Sequence, residues 1–230
     1  MTQQLKSNLA AIEQRISEAA KSSGRSAEEV RLIGVTKYVD AETTRGLVAA
    51  GCMDLGESRP QQLWEKSAAL SDLKIRWHMI GHLQRNKVKR TIETCELIHS
   101  VDSHRLLQAI EEAGKDRRQR VRVLLEVNVS GEAAKHGLKP DELAGAIEFA
   151  EKLPHVFIEG LMCMAGLASR PDDAQREFAM LRRLLEKHQA GSPDNVDLKE
   201  LSMGMSGDFE LAIKQGATMV RVGSLLFQSS

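Results

Sequence analysis

Leu5, Leu9, Ile12 and Ile16 recur at intervals of four, three and four, which makes one apolar stripe along a helix that should end near the Ser-Ser-Gly at 22–24. Ser26 and Glu29 have the spacing of a capping box for a short turn. The next apolar run, Arg31-Leu-Ile-Gly-Val-Thr-Lys37, has strand length and ends in a lysine. From there the two kinds of segment alternate. Helices are predicted over 41–50, 60–69, 86–94, 105–113, 141–152, 173–188 and 208–215, the last closed by Gly216. Strands are predicted over 53–56, 76–81, 97–101, 121–129, 156–164, 198–203 and 219–226. Most are apolar on both faces, as parallel strands covered by helices should be.

Eight strands with a helix in every gap predict an α/β fold of one kind: a single TIM-type (β/α)8 barrel with an additional N-terminal helix, one domain over 1–230. An open doubly wound sheet would want a glycine-rich phosphate turn after its first strand, and Gly34-Val-Thr-Lys37 has no such turn. No linker-like or low-complexity stretch marks a second domain. A chain with 42% hydrophobic and 28% charged residues is ordinary for a globular protein, which argues against disorder. Thirty-two basic residues balance thirty-two acidic ones, so charge gives no hint of nucleic acid or an anionic membrane. With only eight aromatic residues and one tyrosine, Tyr38, a base-stacking platform is not expected. Cys52, Cys95 and Cys163 are odd in number and far apart, so no disulfide framework follows and a reducing cytoplasm is the expected home. No apolar run has the length of a membrane span, and Lys6, Glu13, Arg15 and Glu18 exclude a signal peptide.

In a barrel the chemistry sits at the C-terminal strand ends. Those ends carry Lys37, Glu57-Ser58, Gly81-His82, Ser100 to Asp102, Asn128, Met162 to Met164, Ser202 to Ser206 and Arg221 to Ser224. Lys37 shares strand parity with Ile33 and Val35; if that face is the interior, its ammonium is partly desolvated and becomes a candidate Schiff-base nucleophile. The bland alternative is a lysine that snorkels to water. Met203-Gly-Met-Ser-Gly-Asp208, with Ser206 as an N-cap, and Arg221-Val-Gly-Ser224 supply hydroxyls and flexible backbone where barrels often hold phosphate. Glycine and serine are also ordinary at helix entries. His78 and His82 resemble a zinc pair, but on a strand they would stand about 13 Å apart, so no metal site is expected. Gly56-Glu-Ser-Arg-Pro60 lacks the second glycine of a nucleophile elbow. The run Arg85, Lys87, Lys89, Arg90 reads as a solvated helix face, and Trp77, Met162 and Met164 read as core.

These segments together resemble the pyridoxal phosphate homeostasis family, relatives of the barrel domain of alanine racemase. The matches span nearly the whole chain: Leu32 to Lys37, Leu55-Gly-Glu57, Trp77 to Lys87, His99-Ser-Val-Asp102, Val127 to Glu132 with Lys135 and Gly137, Gly160-Leu-Met162 with Met164, Leu201 to Ser206, and Val220 to Gly223. The resemblance implies that Lys37 carries pyridoxal 5′-phosphate (PLP) as an internal aldimine. It implies that Ser206, Gly223 and Ser224 hold the phosphate and that Arg221 faces the pyridine nitrogen. Asn128 and Met203 match family positions near the cofactor. Ser58 stands where the family usually has Asn, and Ser224 where Thr is frequent.

An always-charged arginine at the ring nitrogen disfavours the proton that strong electron-sink chemistry needs. Racemisation also needs an acid/base on the opposite face of the substrate, which related racemases bring as a tyrosine from a second domain. Here the chain is expected to stop at strand eight, and Tyr38, next to Lys37, should point to the opposite strand face. The resemblance therefore implies a non-catalytic carrier or buffer of PLP in vitamin B6 and amino-acid homeostasis. It is expected to be a cytoplasmic monomer with PLP-dependent apo-enzymes as candidate recipients. The alternatives are a single-domain PLP-dependent amino-acid racemase using a base such as His82, and a barrel that chiefly binds a partner apo-enzyme.

Overall fold

The structure, a computed structural model, describes residues 2–132, 134–166 and 170–228. Eight parallel strands close into a barrel in chain order: β1 (Arg31–Val35), β2 (Asp54–Glu57), β3 (Arg76–Met79), β4 (Leu97–Val101), β5 (Val121–Glu126), β6 (Val156–Met162), β7 (Val196–Met205) and β8 (Met219–Val222). Pairing of Arg31 with Met219 through Gly34 with Val222 makes the closing seam. Helix α1 (Thr2–Ser22) precedes the barrel. Helices α2 (Ala41–Ala50), α3 (Pro60–Ala69), α4 (Val88–Ile92), α5 (His104–Gly114), α6 (Leu143–Ala150), α7 (Pro171–Gln189) and α8 (Phe209–Lys214) fill the gaps between strands.

The core has two layers, set by the two-residue period of a strand. Ile33, Leu97, Leu124, Met162 and Met219 pack together inside the barrel. Their neighbours Ile98, Leu125, Leu161 and Val220 face outward and meet helix residues such as Phe178 and Phe209. Local chemistry fixes the helix starts. Asp40 caps α2 by accepting from the Thr43 N–H at 2.8 Å, and Pro60 and Pro171 open α3 and α7 without needing a donor.

The stripe of α1 is buried as expected, from Leu5 to Ile16. This helix covers the seam where β1 meets β8. The Asn8 amide donates to the Leu226 and Gln228 carbonyls at 3.0 and 2.9 Å, and Arg15 pairs with Glu210 at the start of α8.

Several predicted strands run on too far. The first ends at Val35, the fifth at Glu126, the sixth at Met162 and the eighth at Val222, after which Ser224–Phe227 form a single 3₁₀ turn. Thr36, Val127, Val129, Cys163 and Leu226 nevertheless stay buried beyond these ends. The barrel mouth and its loops cover apolar side chains after the ladder stops, so a run of apolar residues marks burial without marking the last paired residue. The seventh strand is longer than expected and begins at Val196.

Candidate functional site

A cavity of about 720 Å³ opens at the C-terminal mouth of the barrel. Its wall includes Lys37, Ser58, Ser206, Gly223 and Ser224, contributed by the loops after β1, β2, β7 and β8, and Arg221 of β8 itself. Two other residues singled out in the sequence lie elsewhere. Met203 follows the inward-facing Ser202, so parity turns it outward into the layer between barrel and helices. Asn128 organises its own loop: its Oδ1 accepts from the Ser130 hydroxyl and the Gly131 N–H, both at 3.1 Å, and its amide donates to the Glu132 carbonyl.

Lys37 stands in a turn just past β1, half-buried. The residue before it is fixed from three sides. The Thr36 N–H donates to the Gly56 carbonyl at 3.1 Å, the Thr36 hydroxyl donates to Glu57 Oε1 at 2.6 Å, and the Thr36 carbonyl accepts from Lys66 Nζ at 2.6 Å. Lys66 and Glu57 are themselves a buried ion pair at 2.5 Å. The backbone is thus held while the Lys37 side chain remains free to reach a ligand. Tyr38 corrects the parity expectation. The ladder ends before it, so strand alternation does not govern it; its ring is 86% exposed at the rim, with Lys37 Nζ 5.0 Å from the centroid.

Ser206, read from the sequence as an N-cap, does not cap α8. That position belongs to Asp208, whose carboxylate accepts from the Met205 N–H at 2.6 Å. The Ser206 hydroxyl instead accepts from the Gly223 N–H at 3.2 Å, tying the β7 and β8 loops together. At Gly223 a Cβ would lie 3.3 Å from both the Val35 Cβ and the Val35 carbonyl, so a side chain there would press on the end of β1. On the opposite wall, a Cβ at Gly81 would lie 2.3 Å from the Ser58 carbonyl, so backbone meets backbone there. Met164, expected in the core, is 37% exposed and lines the cavity.

Arg221 enters the cavity from the interior, where burial pulls its guanidinium below the ordinary arginine range without discharging it. It donates to the Ser202 hydroxyl at 2.6 Å and to the Cys163 carbonyl at 2.9 Å. Ser202 begins a chain that crosses the barrel. Its Oγ lies 2.8 Å from His99 Nδ1, His99 Nε2 lies 2.9 Å from His78 Nδ1, and His78 Nε2 lies 3.1 Å from Asp54 Oδ1. Burial holds the His99 imidazole well below its usual range, with His78 and Arg221 adding to the effect; burial lowers His78 against the pull of Asp54. Both rings are therefore neutral near neutral pH. Because Arg221 can only donate, one direction satisfies every member: Arg221 to Ser202, Ser202 to His99, His99 to His78, His78 to Asp54. Burial raises the Asp54 carboxyl, but hydrogen bonds from Arg76 and His78 and the Arg76 charge outweigh it and keep it ionised. The buried cation at the mouth is thus linked to an anion at the other end of the barrel by three polar neutral groups.

Glu126, at the inner end of β5, was not anticipated. Burial, with the Asp102 carboxylate, pushes it up to about 7, against the pull of Arg221. His82 is absent from the cavity wall and pairs with Asp102 at 3.0 Å. The three cysteines are unpaired thiols, and burial pushes each up to about 12. Among the described residues no helix is long and apolar enough to cross a membrane.

The alanine racemase N-terminal domain model matches residues 7–230. A pyridoxal phosphate homeostasis protein of Aquifex aeolicus is 40% identical over 219 residues, 95% of each chain. One from Pseudomonas aeruginosa is 39% identical over 220 residues, covering 96% of this chain and 93% of its own. Among solved structures, PipY of Synechococcus elongatus with PLP bound is 33% identical with a TM-score of 0.86, over 97% of this chain and all of that one. Alanine racemase of Clostridium difficile shares the fold at 17% identity and a TM-score of 0.73, with 57% of its length matched.

Proposed function

The chain belongs to the pyridoxal phosphate homeostasis protein family, and from that membership we propose that it binds PLP covalently through Lys37 and acts as a cytoplasmic, non-catalytic buffer or carrier of the cofactor. The observation that carries this reading is the convergence of Lys37, three serines and the buried guanidinium of Arg221 on one cavity. The cavity also has a volume in the range of small-molecule sites. When bound, PLP supplies an aldehyde that condenses with an amine.

Lys37 supplies that amine from a backbone clamped at Thr36. Ser206, Gly223 and Ser224 take the phosphate from the loops after β7 and β8. Arg221 fronts the ring nitrogen and Ser58 borders the opposite wall. Such a cradle both holds the cofactor and leaves it accessible from the open mouth, which suits transfer to apo-enzymes.

Purified protein loaded with PLP should absorb in the visible, and borohydride reduction should fix the cofactor to the peptide containing Lys37. Lys37→Ala should abolish both signals. An unchanged spectrum in that variant would overturn the assignment of Lys37.

A further inference from the structure

Away from the cofactor cavity, the loops after β3, β4 and β5 bring His82, Asp102 and His136 to one point on the barrel rim. We infer that these three side chains form a binding site for a borderline divalent transition-metal ion such as Zn²⁺ or Ni²⁺. One ligand atom from each residue lies within 4.8 Å of the other two. His82 Nδ1 is 3.0 Å and His136 Nδ1 is 3.7 Å from the same oxygen, Asp102 Oδ2. Two donors held about 2.0–2.1 Å from one tetrahedral ion stand about 3.3 Å apart, so these separations bracket what such an ion requires.

The arrangement goes beyond an ordinary imidazole–carboxylate hydrogen bond. One ring would satisfy Oδ2, yet a second ring is stacked on the first, with centroids 4.1 Å apart and planes 17° from parallel. The carboxylate is oriented from behind, because Oδ1 accepts from the Ser103 hydroxyl at 3.1 Å while Oδ2 faces the rings. Outer hydrogen bonds of this kind fix ligand orientation in metal sites.

Two imidazoles and one carboxylate select a borderline ion over Mg²⁺ or Ca²⁺, which prefer all-oxygen shells. The Asp102 side chain is 11% exposed and anchored at the end of β4, whereas those of His82 and His136 are 44% and 58% exposed and can turn onto an arriving ion. The ion takes the place of the proton between His82 Nδ1 and Asp102; that proton passes to solvent, His82 binds as the neutral imidazole with its one ring proton on Nε2, and water completes the shell. Arg85 and Arg105 line the same depression as His82 and Asp102, and their charge sets the affinity below that of a closed four-ligand site.

Binding would pin three successive rim loops together. It would also stiffen the segment in which Lys135, next to His136, donates to the Ala165 carbonyl at 2.9 Å.

The test uses tag-free protein stripped with a chelator and then dialysed. Calorimetric titration with Zn²⁺ should give one ion per chain, and Co²⁺ should develop visible absorption from nitrogen and oxygen ligation. Saturating Zn²⁺ should raise Tm, and Mg²⁺ should not compete. His82→Ala and His136→Ala should each weaken binding about tenfold or more. His104→Ala, an exposed histidine outside the cluster, should leave it unchanged. Both mutated rings are exposed at the rim, and circular dichroism verifies that the variants fold; the Co²⁺ spectrum of the unaltered protein is an independent reading. Failure of the unaltered protein to bind near one equivalent, or full affinity in the His82→Ala/His136→Ala double variant, overturns the site.

Discussion

Ser206 and Ser224 come from different loops and meet because the Ser206 hydroxyl accepts the Gly223 N–H. On the proposed reading each hydroxyl contacts a dianionic phosphate, and a hydrogen bond to a charged group contributes about 1.5–3 kcal/mol. Ser206→Ala and Ser224→Ala should each weaken PLP binding about tenfold or more while hardly changing the affinity for unphosphorylated pyridoxal. Equal losses for both ligands in a fluorescence titration would show that the serines do not hold the phosphate. Glu126 offers a test that needs no ligand. Its carboxyl is raised from an ordinary 4.5 to about 7, so the folded state favours its protonated form. That contribution is complete below pH 4.5 and is lost as pH rises through about 7. The gap between those values corresponds to about 3 kcal/mol at most. Glu126→Gln cannot titrate, so its stability relative to the unaltered protein should improve steadily from pH 5 to pH 8. Urea unfolding in the presence of chelator, which keeps Asp102 free of metal, reads this directly; parallel pH profiles would contradict the burial of a charged Glu126.

Among the elements, those fixed by local chemistry were the most legible. Ala41–Ala50 and Pro60–Ala69 match their predicted bounds because Asp40, Gly51 and Pro60 mark helix ends within the segment itself. Strand ends were legible only approximately, since the interior of the mouth buries residues such as Thr36 and Val129 after pairing has ceased. The cavity wall followed the same rule. Lys37, Ser58, Ser206, Arg221, Gly223 and Ser224 could be named because a parallel barrel presents every strand end to one mouth, whatever the register. Tyr38 was misjudged because alternation was extended past the last paired residue. Barrel closure also hid the interior chain from Ser202 to Asp54: Ser202 and His99 are 103 positions apart, and His99 and His78 are 21 apart, on strands whose registers no single segment records. The grouping of His82 with Asp102 and His136 was hidden likewise. Sequence spacing sets His82 beside His78, too far along a strand to share an ion and turned by the structure into the barrel, whereas Asp102 and His136 reach His82 from the next two loops.

At the scale of the whole molecule, the barrel interior constrains what the mouth can do. Arg221 is buried, hydrogen-bonded to the Ser202 hydroxyl and the Cys163 carbonyl and backed by a chain that ends on ionised Asp54. A guanidinium held this way cannot swing aside or give up its charge, and on the proposed reading it opposes a proton on the cofactor ring nitrogen. Loss of the α-hydrogen from an amino acid depends on that ring accepting negative charge, so the step should be slow even with Lys37 available as a base. Reprotonation from the other face needs a second group. Tyr38 lies beside Lys37 at the rim, and His82 is engaged with Asp102 outside the cavity wall. Racemisation of alanine and other small amino acids should therefore fall far below the usual enzyme range of about 1–10³ s⁻¹. Deuterium exchange followed by NMR in heavy water, with PLP-loaded protein, measures this without assuming a product. Turnover within that range would replace the carrier by an enzyme. Its dependence on Tyr38→Phe and His82→Ala would then identify the acid/base that the geometry leaves out.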